Sequence, residues 1–307
     1  MTYSITKAEQ ELLSRREGLN LRWYPRYHLA ARAGWMNDPN GLVWFDGWYH
    51  AFYQHHPYST QWGPMHWGHA RSRDMVRWEH RSGALAPGGT EDTVGCFTGS
   101  AGGKGDTLAL ISTGHKSPGE PVEANLCLVK CLATSRDGMA FQRQGQGIDP
   151  GAGVYHLRDP KVWREGEAWY MVVGARTADI GEVQIYRSAN LRHWEFESNI
   201  KQDDGMLGFM WECPDLFTLG ETQVLMFSPQ GVRADGYHNR NLFQSGYLKG
   251  KWQPGSPFVA TSEFKELDYG HGFYAPQSFT TPDGRGLGMD RKSGGWGRSV
   301  DPRGRRT

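Results

Sequence analysis

Three short stretches place carboxylates where a reactive pocket would want them: WMNDPNG at 35–41, HLRDPKVW at 156–163 and WECPDLF at 211–217. Asp38, Asp159, and Glu212 with Asp215, each stand beside a proline at the start of an apolar run. A following proline disfavours the α region, so Asp38 and Asp159 are expected in extended backbone at the start of a strand. Carboxylates that converge among tryptophans and amides suit the cleavage of a glycosidic bond. One carboxyl attacks carbon or activates water, and the other protonates the leaving oxygen. A single Asp-Pro is more often only a turn. The weight therefore rests on Asp38, Asp159 and Glu212 sharing one position of a repeat.

The chain does repeat. A serine followed six residues later by an aromatic occurs in SRDMVRW (72–78), SRDGMAF (135–141) and SANLRHW (188–194). Between these copies, pairs of apolar strands meet at tight turns. The turns lie at Asp46-Gly47, Gly105-Asp106, Glu165-Gly166, Gly220 and Asp283-Gly284, and Asp-Gly between apolar strands is a strong hairpin signal. Five units of roughly sixty residues result, each a β-meander. An all-β, five-bladed β-propeller explains shared turn positions better than a generic sandwich does. The first strand of each blade would line the central axis, and the acids would meet in one funnel.

Composition agrees. There are 34 Lys and Arg against 33 Asp and Glu, so the surface lacks the basic excess that nucleic acid or an anionic membrane rewards. The 13 tryptophans exceed what a core requires and suit sugar rings. No apolar run could span a bilayer. The N-terminal MTYSITKAEQELLSRREG lacks a secretory h-region and reads as a short charged helix. Cys127 and Cys131 lie four apart on an expected strand, about 13 Å along it, too far for a disulfide. With Cys96 and Cys213 they read as buried free thiols in a reducing, cytoplasmic compartment. His55, His56, His66 and His69 cluster in sequence, but no acid or thiol completes a metal shell. They are expected to hydrogen-bond the pocket wall.

These residues resemble glycoside hydrolase family 32, the invertases, fructanases and sucrose-6-phosphate hydrolases, in its bacterial cytoplasmic branch. The resemblance rests on WMNDPNG, CFTGS (96–100), RDPKVW (158–163) and WECPD (211–215), in that order. YQHHPYSTQWGPMHWGHA (53–70), FSPQG (227–231) and YAPQSF (274–279) add to it. It implies a five-bladed propeller with Asp38 as nucleophile, Glu212 as general acid and then base, and Asp159 with Arg158 gripping fructose hydroxyls. Trp35, Met36, Asn37, Gln54, Trp62, Phe97 and Thr98 would line the sugar subsite, Thr98 keeping the hydroxyl of the family's more frequent serine. A retaining mechanism follows, with carboxyls about 5–5.5 Å apart. Asn37 and Asn40 are candidate donors to Asp38. Trp211, Cys213 and Pro214 give Glu212 surroundings that favour its protonated form. Asp215 is read as a cap at the start of its strand, and Cys213 as a packing residue. The implied substrate is sucrose or sucrose-6-phosphate, with no metal, cofactor, nucleic acid or membrane.

The end departs from the family. From residue 286 the chain reads GLGMDRKSGGWGRSVDPRGRRT, rich in Gly and Arg and without strand period or core residues. A shift of reading frame would produce such an ending. The expected organisation is an N-terminal extension at 1–22, a propeller at 23–286 with an incomplete fifth blade, and an aberrant, disordered tail at 287–307. The family's C-terminal β-sandwich is expected to be absent. Two functions follow: a β-fructofuranosidase of invertase type, or a truncated inactive fragment that at most binds sugar.

Overall fold

The computed structural model describes residues 2–116, 127–148, 156–202 and 206–291. Helix α1 (Ile5–Glu17) is capped by Ser4, whose hydroxyl accepts from the Lys7 amide at 3.2 Å, and it ends at Gly18. Its buried Ala8 and Leu12 face blade one, where Glu9 accepts from the Gly83 amide at 3.1 Å. No helix among the described residues is long and apolar enough to cross a membrane.

The rest is an all-β propeller in which four antiparallel sheets follow in chain order. The first contains β1 (Trp35–Phe45), β2 (Trp48–His56), β3 (His66–Ser72) and β4 (Trp78–Leu85). The second contains β5 (Gly95–Lys104), β6 (Thr107–Lys116), β7 (Cys127–Ser135) and β8 (Gln142–Ile148). The third contains β9 (His156–Glu165), β10 (Ala168–Thr177), β11 (Ile180–Ser188) and β12 (Glu195–Lys201). The fourth contains β13 (Met210–Leu219), β14 (Thr222–Gln230) and β15 (Gly246–Lys251), edged by the short β16 (Val259–Ala260) and β17 (Lys265–Glu266). A two-stranded sheet of β18 (Gln277–Thr280) and β19 (Gly286–Met289) completes the order. The inner strands touch in a cycle: β1 meets β5, β5 meets β9, β9 meets β13, β13 meets β18, and β18 returns to β1.

The repeated serine explains itself in the third turn of each of the first three blades. Ser72 and Ser188 accept from backbone amides two and three residues on, and Ser135 bonds Asp137. The residue three after each serine, Met75, Gly138 or Leu191, has a φ of 62–66°. The hydroxyl thus closes a polar turn that a left-handed residue completes. Asp46 and Gly47 both have positive φ, as a two-residue hairpin turn matched to strand twist requires.

The core lies in the seams between sheets. Phe52, Trp67, Cys96, Leu108 and Leu110 fill the seam of blades one and two. Ile111, Leu157, Trp169 and Met171 fill the next, and Val172, Ile185, Trp211, Leu225 and Phe227 the third. Met289 closes the last seam with Leu42, Tyr53 and Phe279. Here the expected boundary moves. Residues 287–289, assigned to a tail without strand or core, pair along β18 and bury Met289, and Asp290 is also buried. Their glycines hide the strand period, while pairing depends only on backbone. Residues 292–307 lie outside the described residues.

Candidate active site

The acids lie inside the first strands, not ahead of them. β1 pairs Met36 with His55 and Pro39 with Tyr53, so Asn37 and Asp38 bulge opposite Gln54. Asp159-Pro160 bulges in β9 and Cys213-Pro214 in β13, and β5 has the same irregularity at Thr98. Proline has no N–H for the ladder and is accommodated in an inner strand at a bulge, although β5 bulges at Thr98 without one, and a bulge re-aims the neighbouring side chain. Asp159 has φ 65° and Cys213 φ 48°, so Asp159 is left-handed where sequence reasoning expects extended backbone. The repeat position also needs correction. Asp38, Thr98, Asp159, Cys213 and Ala275 are equivalent, and Glu212 stands one residue earlier, level with Asn37, Phe97, Arg158 and Tyr274.

Glu212 is held from three sides. Arg158 donates to Oε1 from Nε at 2.9 Å and Nη2 at 2.8 Å, and Gln230 donates to Oε2 at 2.8 Å. The Tyr274 hydroxyl also donates to Oε2. Burial opposes the charge of Arg158, yet the Glu212 and Asp159 carboxylates raise its pKa. Burial, then the charge of Glu212, pushes Tyr274 far up, so its hydroxyl remains a donor. Asp159 is buried and accepts from the Cys213 amide at 3.1 Å. Burial first, then the negative charge of Glu212, holds its carboxyl above the usual range, with Arg158 opposing. The Cys213 thiol lies 3.7 Å from the same oxygen, and burial followed by the charge of Asp159 keeps it protonated, as a packing residue.

Asp38 accepts from Thr98 Oγ1 at 3.0 Å on one oxygen. Its other oxygen takes Arg291, with Nε at 3.1 Å and Nη2 at 2.7 Å. These are its donors in place of the expected Asn37 and Asn40. Asn37 accepts from Trp35 Nε1 at 2.6 Å, and Asn40, with its amide assigned by the hydrogen-bond network, pairs with Pro39 O and Gln54. Arg291 also lies over the Tyr274 ring at 5.0 Å, joining Asp38 to the Glu212 side.

Around this centre, Gln54 donates to Cys96 O at 2.9 Å. Phe97 packs between Trp62 and His115 at 6.0 and 4.6 Å, and Trp62 is well exposed. Met36 packs with the seam of Leu29, Leu42, Ala51 and Tyr53. Arg158 binds Glu212, whereas the resemblance had joined it to Asp159 in gripping sugar. Three of the four grouped histidines hold backbone: His55 Nδ1 is 2.7 Å from Trp35 O, His56 Nδ1 3.0 Å from Gln61 O and His66 Nδ1 2.9 Å from Pro64 O, whereas His69 Nε2 meets His50 Nδ1 at 2.9 Å. Among the described residues no group of three or more His, Cys, Asp or Glu could hold a metal.

A polar belt lies two residues beyond the bulges. Val162 donates to Ser100, Gln277 joins Leu42 N to Gly99 O, and Lys161 pairs with Asp215 at 3.2 Å. Asp215 also accepts from Ser278 N at 2.6 Å, so it ties three inner strands and is more than a strand cap. Sequence reasoning quoted the motifs containing Gln230 and Tyr274 without giving them roles, and it set Arg291 aside with the tail.

Residues 28–302 match the profile described as the Glycosyl hydrolases family 32 N-terminal domain. The chain is 52% identical to the sucrose-6-phosphate hydrolase of Escherichia coli over 288 residues, 93% of this chain and 60% of that protein. The raffinose invertase of Escherichia coli matches with the same identity and shares. Among solved structures, the GH32 beta-fructofuranosidase of Bombyx mori superposes with a TM-score of 0.84 at 38% identity, covering 90% of this chain and 59% of that one. A mutant of it was solved in complex with sucrose. The chain thus spans about three fifths of the length of these relatives. The profile match over most of the sequence, on a propeller whose inner strands carry the matched acids, means that the chain belongs to glycosyl hydrolase family 32.

Proposed function

We propose that the chain is a β-fructofuranosidase that hydrolyses sucrose or sucrose-6-phosphate with retention. The observation that carries this reading is Glu212 held by Arg158, Gln230 and Tyr274, with the charges of Glu212 and Asp38 both acting on Asp159 and Arg291 joining Asp38 to the Tyr274 ring. Asp38 attacks the anomeric carbon of the fructosyl unit while the bond to the glucosyl oxygen breaks and Glu212 protonates that oxygen. Water then attacks the same carbon as its bond to Asp38 breaks, freeing that carboxylate, and Glu212 takes the water proton. Three neighbouring carboxyls hold a proton more tightly than one alone. Burial, then the charge of Glu212, favours the protonated form of Asp159. Arg291 leaves Asp38 as sugar enters. The sheet of β18 and β19 is read as the inner half of a fifth blade, supported by its contacts with β1 and β13. The buried free thiols Cys96, Cys131 and Cys213 support action in the reducing cytoplasm.

The test is NMR of the first fructose anomer released from sucrose. Retention is expected, and Asp38→Asn should lose at least about a thousandfold in rate, since the covalent step goes with the nucleophile. First-formed inverted anomer would remove Asp38 from its role. The second reading, a fragment that only binds sugar, is favoured by the engagement of both Asp38 oxygens. It predicts sucrose binding without glucose release.

A further inference from the structure

Outward from Glu212, the third blade carries His156 and Arg176, which the hydrolytic reading does not use. His156 and Arg158 stand two apart on β9 and so share a face. Arg176 of β10 is the register partner of His156, directly across the ladder. Arg158 is committed to Glu212, but its Nη1 also lies 3.2 Å from His156 Nδ1. A guanidinium only donates, so Nδ1 accepts and the ring proton sits on Nε2. Burial, then the charges of Arg158 and Arg176, keep this ring neutral, with its pKa lowered to about 4. His156 therefore offers a fixed N–H donor beside the acid.

Arg176 stands next to that donor on a rigid support. Its guanidinium lies 5.0 Å from the Phe209 ring centre, three residues before Glu212. Ala178 and Asp179 have φ 47° and 66°, which makes the β10–β11 connection a tight two-residue hairpin. Among the described residues the one anion paired with Arg176 is Asp179, at 3.1 Å from Nε, with an 80% exposed side chain. Such an exposed pair contributes little, and a better anion displaces it.

We infer that Arg176 and the Nε2–H of His156 form an anion-recognising edge on the leaving-group side, shaped for a phosphate monoester on the departing glucosyl unit. This rests on the placement of Glu212 at the leaving oxygen. A phosphate dianion takes two parallel guanidinium N–H bonds plus the imidazole N–H, whereas a neutral hydroxymethyl group makes at most one such contact.

The experiment is calorimetric titration of the full chain with glucose, glucose 6-phosphate and inorganic phosphate. Glucose 6-phosphate should bind about tenfold or more tightly than either of the others. Arg176→Gln should abolish most of that preference, and Asp179→Asn, which frees Arg176, should increase it. Equal affinity for glucose and glucose 6-phosphate, or a preference untouched by Arg176→Gln, overturns the assignment. Inorganic phosphate binding as tightly as the sugar phosphate also overturns it, by reducing the edge to a general anion site. Sucrose cleavage on the same preparation keeps the two readings apart. Phosphate preference without cleavage sinks the hydrolase and leaves the edge standing, and cleavage without preference does the reverse.

Discussion

Both oxygens of Asp38 carry a donor, Thr98 on one and Arg291 on the other. The attack proposed for Asp38 needs a lone pair aimed at carbon, and the guanidinium occupies one. A charge-assisted hydrogen bond is worth about 1.5–3 kcal/mol. Arg291→Ala should therefore raise kcat/KM for sucrose about tenfold, and a fall in initial rate would instead make Arg291 an aid to binding. Asp38, Asp159 and Glu212 were legible in sequence because Asp-Pro and Glu-Cys-Pro stand out in apolar runs. The one-residue offset of Glu212 was not, because it depends on bulge register. Arg291 was not, because its contact with Asp38 joins opposite ends of the chain through a Gly-rich hairpin.

At the scale of elements, the first blade buries a set of histidines along β2 and β3. Burial lowers His50 and His66 to about 4 and His55 to about 3, and it holds His69 well below its ordinary value. A depressed folded pKa means that stability is fully present above the unfolded value near 6.5 and is lost as pH falls toward about 4. One such ring costs about 2 kcal/mol by pH 5. Urea unfolding should show at least that loss between pH 7 and pH 5, and a flat profile would contradict this account of the blade. The sequence grouped His55, His66 and His69, together with His56, left out His50, and gave no reason to expect metal. Which partner each one meets, a backbone carbonyl for His55 and His66 and each other for His50 and His69, depends on strand register and was out of reach.

At the scale of the whole molecule, function depends on a ring of inner strands closed by few bonds. Asp215 joins β13 to Lys161 of β9 and Ser278 of β18 while almost fully buried. Asp215→Ala leaves the Lys161 ammonium without that partner and should cost about 3–5 kcal/mol. Thermal melting reads this directly, and a near-unchanged midpoint would mean that the belt does not close the ring. The propeller itself was legible, because serine turns and Asp-Gly hairpins repeat along the chain. Its last strand, β19, was not, because GLGM has neither alternation nor bulk. Whether this ring holds the acids well enough for chemistry is the central claim, and displacement near 1 Å can cost about a hundredfold in rate. The most direct test is glucose release from sucrose by the full 307-residue chain beside its Glu212→Gln variant. The account predicts release that drops by about 10²–10⁴ in the variant. Folded, soluble protein that releases no glucose, or a variant as active as the parent, would contradict it.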